Sequence, residues 1–198
     1  IKYNLKAQRI VMSPKIYGLE LLESWWRCFN EICEQLRGSD PKHRLPWFGP
    51  DMGVMMFTTA RQMETWAHGQ DIYDCLHRTR ISTDRLKNIA VIGVKTFGWT
   101  FINRKMEPPS PVPYVKLDAP SGDVWEFGEP SKEDYISGAA VEFCHVVTQG
   151  RNIRDKDIHL KVVGESAQQW MDIAQCFAGP PETPPEPGSR TTRLNGLD

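Results

Sequence analysis

The chain has 198 residues, and its 24 basic residues nearly balance its 25 acidic ones, for a formal net charge of −1. This balance argues against a nucleic-acid partner or a polyanionic membrane. No run reaches the ~18 apolar residues of a membrane span, and no signal peptide opens the chain, so we expect a cytoplasmic protein without a membrane partner. The five cysteines are scattered and contain no Cys-x-x-Cys pair, which is typical of reduced thiols.

The first predicted helix follows Ser13-Pro14, a pair typical of a helix start. Apolar residues then recur at spacings of three and four until Gly38, which is expected to end the helix. They are Leu19, Leu22, Trp26, Phe29, Cys33 and Leu36. Such a stripe needs an apolar partner surface. We interpret Trp26 as part of a bundle core in preference to the wall of a substrate site.

The second predicted helix runs from Val54 to His77 and carries Glu64 and His68 four residues apart. Because this spacing places both side chains on one helix face, the carboxylate and the imidazole could bind one divalent metal ion. Asp71, three residues after His68, is placed to orient the imidazole. The same spacing is common on solvated helix faces, so spacing alone leaves an ordinary surface pair open. Apolar neighbours favour a half-buried pair, which would need a partner such as a metal.

A third helix is predicted from Leu86 to Phe101, and Arg104 follows it. Arg104 is either a solvated cation near a helix end or an anion-binding arm. The proline-rich stretch 107–113 is the predicted linker between two domains. We therefore expect a helical bundle over residues 1–106, a second domain over 114–178 and a disordered tail over 179–198.

In the second domain, strands are predicted at Tyr114–Leu117 and Val124–Phe127, joined by a hairpin turn. A helix beginning at Ser137 or Gly138, a third strand and a last helix complete a ββαβα order. His145 is expected on the solvated face of the first of these helices. The predicted fold class is therefore α+β, a helical bundle followed by a small ββαβα domain.

The run Met63–Asp71 (METWAHGQD) carries a family resemblance. Together with Trp47-Phe48-Gly49-Pro50 before it and 97–104 (FGWTFINR) after it, the run resembles the mycothiol-dependent maleylpyruvate isomerase family. The resemblance extends to about Arg190. It implies a DinB-like four-helix bundle that carries a metal site, joined to a small α/β domain.

The resemblance also implies roles for single residues. Glu64 and His68 would be two of three protein ligands of a divalent metal, for which zinc is well suited. Arg151 matches the arginine that the second domain contributes to the site, and its planar fork suits a carboxylate of an acidic substrate. From spacing alone, Arg151 is an ordinary helix-end cation. The third ligand, a histidine on an earlier helix, has no match in this sequence.

The function that the resemblance implies is cis–trans isomerisation with a low-molecular-weight thiol such as mycothiol. The metal would hold the thiol as a thiolate, which adds to an activated carbon–carbon double bond, allows rotation and then leaves. We therefore predict a metal- and thiol-dependent isomerase or transferase that acts on a small, acidic, unsaturated molecule. Two alternatives stay open: a metal-dependent hydrolase that uses metal-bound water, and a non-catalytic protein that binds a small apolar ligand.

The missing third ligand and the unpartnered first stripe share one explanation. We expect a further N-terminal segment of about 40–70 residues, two helices and a loop, that carries the ligand histidine. A homodimer is the alternative source of the missing apolar surface.

Overall fold

A computed structural model describes residues 16–46 and 51–190. The chain forms two compact units, residues 1–54 and residues 55–198. The stretch 107–113, predicted to link two domains, lies inside the second unit. Ser13-Pro14, predicted to start the first helix, and the run Trp47–Pro50 lie outside the described residues. The α+β class predicted from the sequence is confirmed by the order of helices and strands.

The described part of the first unit contains helix α1 (Gly18–Arg37) and a small hairpin. The hairpin pairs strands β1 (Arg44–Leu45) and β2 (Met52–Gly53) antiparallel. Helix α1 ends where the sequence predicts, at Gly38, whose backbone amide donates to the carbonyl of Glu34 at 3.3 Å.

The apolar stripe of α1 is not buried in the structure. Trp25 and Trp26 both stack on Phe29, with ring centroids 5.5 and 5.7 Å apart. Trp26, interpreted from the sequence as a core residue, is exposed. Stacking of neighbouring rings along one helix face reduces their contact with water only in part.

Helix α2 (Val54–Cys75) is the predicted motif helix. It ends two residues earlier than predicted, and His77 adopts a left-handed backbone with a φ of 52°. Met63, Trp66 and Gln70 are buried along one side of α2. This burial fixes the helix against the rest of the second unit and leaves Glu64 and His68 at the surface of another side.

The predicted third helix is broken into α3 (Leu86–Lys95) and α4 (Phe97–Ile102). The break lies at Thr96, whose hydroxyl donates to the carbonyls of Ile92 and Gly93 at 2.8 and 3.0 Å. Hydroxyl groups that bond back to the preceding turn compete with the helical backbone pattern and bend helices.

A four-stranded mixed sheet forms the centre of the second unit, in the order β4-β3-β5-β6. Strand β3 (Tyr114–Asp118) pairs antiparallel with β4 (Val124–Phe127) and parallel with β5 (Tyr135–Ala139). Strand β6 (Lys161–Val163) pairs antiparallel with β5. Helices α5 (Ala140–Val147) and α6 (Glu165–Ile173) follow β5 and β6.

Strand β5 is the element that the sequence analysis missed. The helix expected from Ser137 or Gly138 begins at Ala140, and both residues belong to the strand. The order is therefore βββαβα. The backbone of β5 is held on both sides by β3 and β6, and Ile136 is fully buried. Pairing partners distant in sequence thus override the weak local signal of a five-residue segment containing glycine.

Close packing of α3 on α5 positions the loop that follows α5. A Cβ atom on Gly93 would lie 2.9 Å from Val147 and 3.0 Å from Phe143, so glycine allows this approach. The two helices share one core with the sheet and with α2. As a result, residues 148–151 lie beside α2, where Arg151 reaches Asp74.

The proline-rich segment 179–190 was expected to be disordered, but the structure seats it on the second unit. Side chains of the unit donate to its backbone carbonyls, which proline residues retain although they lack an amide hydrogen. The donors are Asn103 to Gly179, Gln175 to Pro180, Gln149 to Glu182 and Asn152 to Pro185, over 2.8 to 3.2 Å. Residues 191–198 lie outside the described residues.

Two further expectations concern membranes and thiols. In the described part of the chain, no helix combines the length and the apolar character that crossing a membrane requires. All five cysteines are free thiols, as the scattered pattern indicated.

Candidate metal and substrate cleft

Glu64 and His68 lie together on the surface of α2, as the helical spacing predicts. The Nε2 atom of His68 is 3.3 Å from the Oε2 atom of Glu64. Two ligand atoms that share a tetrahedral zinc at roughly 2.0–2.2 Å lie roughly 3.3–3.5 Å from each other. The separation of the pair therefore matches that of two ligand atoms in a zinc site. The same distance also suits a direct ion pair, which is the form it takes when His68 is protonated.

Charged neighbours make the surroundings of the pair favourable for a cation. Asp71 Oδ2 lies 3.8 Å from His68 Nδ1, which is close enough for electrostatic attraction but too long for a direct hydrogen bond. Arg190 approaches Asp71 at 3.6 Å from the other side. Glu64 and Asp71 bring two carboxylates to this region, against the guanidinium of Arg190. A divalent ion would offset this excess of negative charge.

The pair opens into a cleft of about 330 Å³, large enough for a small organic molecule. One wall is α2, and the other walls come from the loop after α5 and from the segment 179–190. Lining residues that the sequence analysis did not single out are Thr148, Gln149, Gly150, Phe177, Glu182, Thr183 and Pro185. No periodicity or motif marks them, because they reach the cleft through tertiary contacts.

Gln149 supports the wall of this cleft. It is a non-glycine residue with a φ of 57°. Its side-chain amide nitrogen, Nε2, donates to the carbonyls of Ala174 and Glu182, both at 3.0 Å. A left-handed backbone at such a residue persists where neighbouring contacts hold it. Gln149 thereby connects the loop after α5 to the segment 179–190.

The described residues offer two candidate ligands rather than three. Within 16–46 and 51–190, no group of three or more His, Cys, Asp or Glu side chains is arranged to hold a metal ion. A catalytic zinc site ordinarily has three protein ligands. The donor chemistry of Glu64 and His68 thus fits a metal, and the described part of the chain does not complete its coordination.

Arg151, expected to bind a substrate carboxylate, has a carboxylate partner within the protein. Its Nη1 and Nη2 atoms each donate to an oxygen of Asp74 at 2.7 Å, and both side chains are nearly buried. Burial disfavours the charged form of Asp74, but hydrogen bonds from Arg151 and Gln70 outweigh it and lower the pKa of the carboxyl group. Arg151 does not line the cleft, although its neighbour Gly150 does. Its role toward substrate stays a prediction.

Arg104, the other candidate for anion binding, contacts three oxygen acceptors of the protein. Its guanidinium donates to the carbonyl of Thr100 at 2.9 Å, to Gln175 Oε1 at 3.1 Å and to the carbonyl of Glu182. Through these bonds, Arg104 ties α4 to the segment 179–190. Its role in catalysis also stays a prediction. Because the segment 179–190 forms one wall of the cleft, Arg104 would affect the cleft by holding this wall in place.

Comparison with known proteins gives a family match over part of the chain. Residues 12–73 match the family model of the mycothiol maleylpyruvate isomerase N-terminal domain, a helical domain of the DinB-like type. The matched range includes Glu64, His68 and Asp71. The family resemblance predicted from the motif run is therefore confirmed over this range.

Individual relatives come from Mycobacterium tuberculosis. They are Rv0036c of strain H37Rv and MT0041 of strain CDC 1551, both described as uncharacterized proteins. Each is 43% identical to this chain over 162 residues, which cover 82% of the chain and 62% of the relative. The chain thus spans about three fifths of the length of these relatives. No solved structure matches it.

Proposed function

We propose that the chain forms part of a metal- and thiol-dependent isomerase or transferase acting on a small, acidic, unsaturated molecule. The observation that carries this proposal is the Glu64–His68 pair, whose 3.3 Å separation suits two ligands of one metal ion at the edge of a cleft. The match of residues 12–73 to a mycothiol-associated domain supports the thiol. Glu64 and His68 would hold the metal, and Asp71 would orient His68.

A divalent metal bound here would supply a Lewis acid that lowers the pKa of a coordinated thiol. The buried thiols of the protein are poor substitutes for an external one. Burial raises the pKa of Cys144 well above its usual value, and burial and the charge of Glu64 raise that of Cys176. Both thiols therefore stay protonated at neutral pH.

The substrate proposal follows from the size and charge of the cleft. About 330 Å³ accommodates a small molecule. Arg190 is the cation that lines the cleft beside Asp71, and it can bind a carboxylate of an acidic substrate. The carboxylates of Glu64 and Asp71 would repel such a substrate unless a metal compensated their charge.

The first test is metal content. Purified protein is incubated with zinc, freed of excess ion and measured by elemental analysis, for the wild type and for His68→Ala. We expect His68→Ala to lose bound zinc. Its zinc affinity should fall by more than the roughly 10- to 100-fold that is typical when a residue hydrogen-bonded to a metal ligand is replaced.

The chain offers a matched control in His159→Ala. His159 is exposed to a similar extent, 74% against 78% for His68, and it also faces a carboxylate, Glu142, at 3.6 Å. This variant should retain zinc. Equal zinc in both variants would refute Glu64 and His68 as a metal site.

A second measurement separates the proposed activity from the metal-dependent hydrolase. Zinc-loaded protein is assayed for isomerisation of a small unsaturated dicarboxylate and for hydrolysis of a small ester, each with and without added thiol. Isomerisation that requires thiol supports the proposal. Turnover of the ester without thiol, together with no isomerisation, would favour metal-bound water as the nucleophile.

A further inference from the structure

A second cavity, of about 250 Å³, lies against a different side of α2 from the metal pair. Trp66 and Gln70 line it, and they follow Glu64 and His68 by two residues each. Two residues correspond to about 200° around a helix, so this cavity opens nearly opposite to the pair. The loop 79–82, helix α5 and Arg151 complete its walls.

Arg80 and Arg151 both line this cavity, and Arg80 is the one without a carboxylate partner among the described residues. Its Nη1 atom donates to the carbonyl of Trp66 at 2.7 Å, and its guanidinium lies 5.4 Å from the Trp66 ring and 5.3 Å from the Tyr73 ring. Among the residues that the structure describes, no carboxylate lies within ion-pair distance of Arg80. Burial lowers the pKa of Arg80, as expected for a charge that lacks a counter-ion.

His145 also lines this cavity. Its Nδ1 atom is buried and bonds to nothing in the protein, and its ring lies 4.7 Å from the Trp66 ring. The expectation of a solvated His145 is therefore wrong, because helix α5 turns this side chain toward α2. Burial and then the charge of Arg151 lower the pKa of His145 to about 4, although Asp74 opposes the shift, so the imidazole is neutral at pH 7.

The other charged groups of the cavity already have partners or face water. Arg151 is neutralised by Asp74. Glu142 accepts the amide of His159 at 2.6 Å and faces its imidazole. Asp157 is exposed. Arg80 is therefore the cation of this cavity without a carboxylate partner, and an anion bound beside it must lie away from Glu142 and Asp157.

We propose that this cavity binds a small oxyanion, a carboxylate or a phosphate group, between Arg80 and His145. The guanidinium of Arg80 donates through its free hydrogens, and a neutral His145 donates through Nε2, because Nδ1 is buried against the loop at Gly150. Hydroxyl groups of Thr79 and Ser82 also line the cavity and add donors. Nothing in the metal-site proposal depends on this second site.

Two binding measurements test the proposal. In the first, the melting temperature of the protein is followed with increasing inorganic phosphate or acetate, against chloride at the same ionic strength. A ligand that binds the folded state raises the melting temperature in a saturable way. We expect such a rise with at least one oxyanion. Arg80→Gln should weaken binding by roughly ten- to a hundredfold, as for other lost charged hydrogen bonds.

The control variant is Arg154→Gln. Arg154 is exposed and pairs with Asp172 at 2.9 Å, so its loss removes the same charge without touching the cavity. It should keep the response to oxyanion. A response of equal size in Arg80→Gln, or none to either oxyanion in the wild type, overturns the proposal.

The second measurement needs no variant, in case Arg80→Gln does not fold. Histidine resonances of the wild-type protein are recorded by NMR during the same titrations, and the ring signals of His145 are assigned through their correlations with its backbone. A saturable shift of His145 without a shift of the exposed His159 supports the site. A His145 resonance that does not respond overturns it. The anion effective at the lower concentration tells carboxylate from phosphate.

Discussion

Replacing Arg151 by alanine should destabilise the second unit by about 3–5 kcal/mol, the usual cost of removing one partner of a buried ion pair. The side chains of Arg151 and Asp74 are only 10% and 13% exposed, and two hydrogen bonds of 2.7 Å join them. Without Arg151, the Asp74 carboxylate would remain buried with Gln70 as its only side-chain donor in the described residues. Since domains are stable by roughly 5–15 kcal/mol in total, this loss is large.

A double-mutant cycle measures the pair directly. Urea unfolding is followed for the wild type, Arg151→Ala, Asp74→Ala and the double variant. The double variant should be more stable than the sum of the single losses indicates, because it leaves no unpaired charge behind. Arg154→Ala, which removes an exposed arginine paired with Asp172, is the matched control and should cost at most about 1 kcal/mol.

The outcome also decides between two roles of Arg151. If Arg151→Ala is no less stable than Arg154→Ala and the cycle shows no coupling, the pair with Asp74 contributes little. The guanidinium would then be free to bind a substrate carboxylate. A large coupling would instead make Arg151 a positioning residue, which holds Gly150 and its neighbours in the wall of the cleft.

Two further predictions concern acid stability and the segment 179–190. Stability should fall as the pH decreases from about 6.5 to about 4, because the unfolded chain binds a proton at His145 before the folded protein does. At ~1.4 kcal/mol per pKa unit, this difference lowers the free energy of unfolding by up to about 3 kcal/mol. Urea unfolding at several pH values should show a shallower decline for His145→Phe, and an unchanged decline would contradict the buried imidazole. Arg104→Gln should increase, several-fold, cleavage after Glu182 by a glutamate-specific protease, because it removes the guanidinium bond to the Glu182 carbonyl. An unchanged cleavage rate would show that Arg104 does not hold the segment.

The elements that the sequence predicted well are those with strong local signals. Helix α2 was expected from Val54 to His77 and runs from Val54 to Cys75. The β3–β4 hairpin also lies where alternating residues and turn residues placed it. In contrast, β5 is a strand because β3 and β6 flank it, and neither partner is visible in its own five residues.

Part of the candidate site could likewise be read from spacing. A spacing of four on a helix places two side chains on one face, whatever surrounds the helix, and the 3.3 Å between His68 and Glu64 follows from that local geometry. The family match over residues 12–73 agrees with the same motif run. The remaining walls of the cleft come from residues that lie 80 or more positions after Glu64 and His68, and no local pattern identifies them.

The sequence by itself determined the α+β class, the motif helix and the Glu64–His68 pair, because helix periodicity is a property of neighbouring residues. Only the tertiary structure decided the partner of Arg151, which is Asp74, 77 residues away. It also decided that His145 is turned inward and that the segment 179–190 is seated by side-chain donors. These outcomes depend on which groups folding brings together, and on the cost of leaving a buried charge or polar atom without a partner.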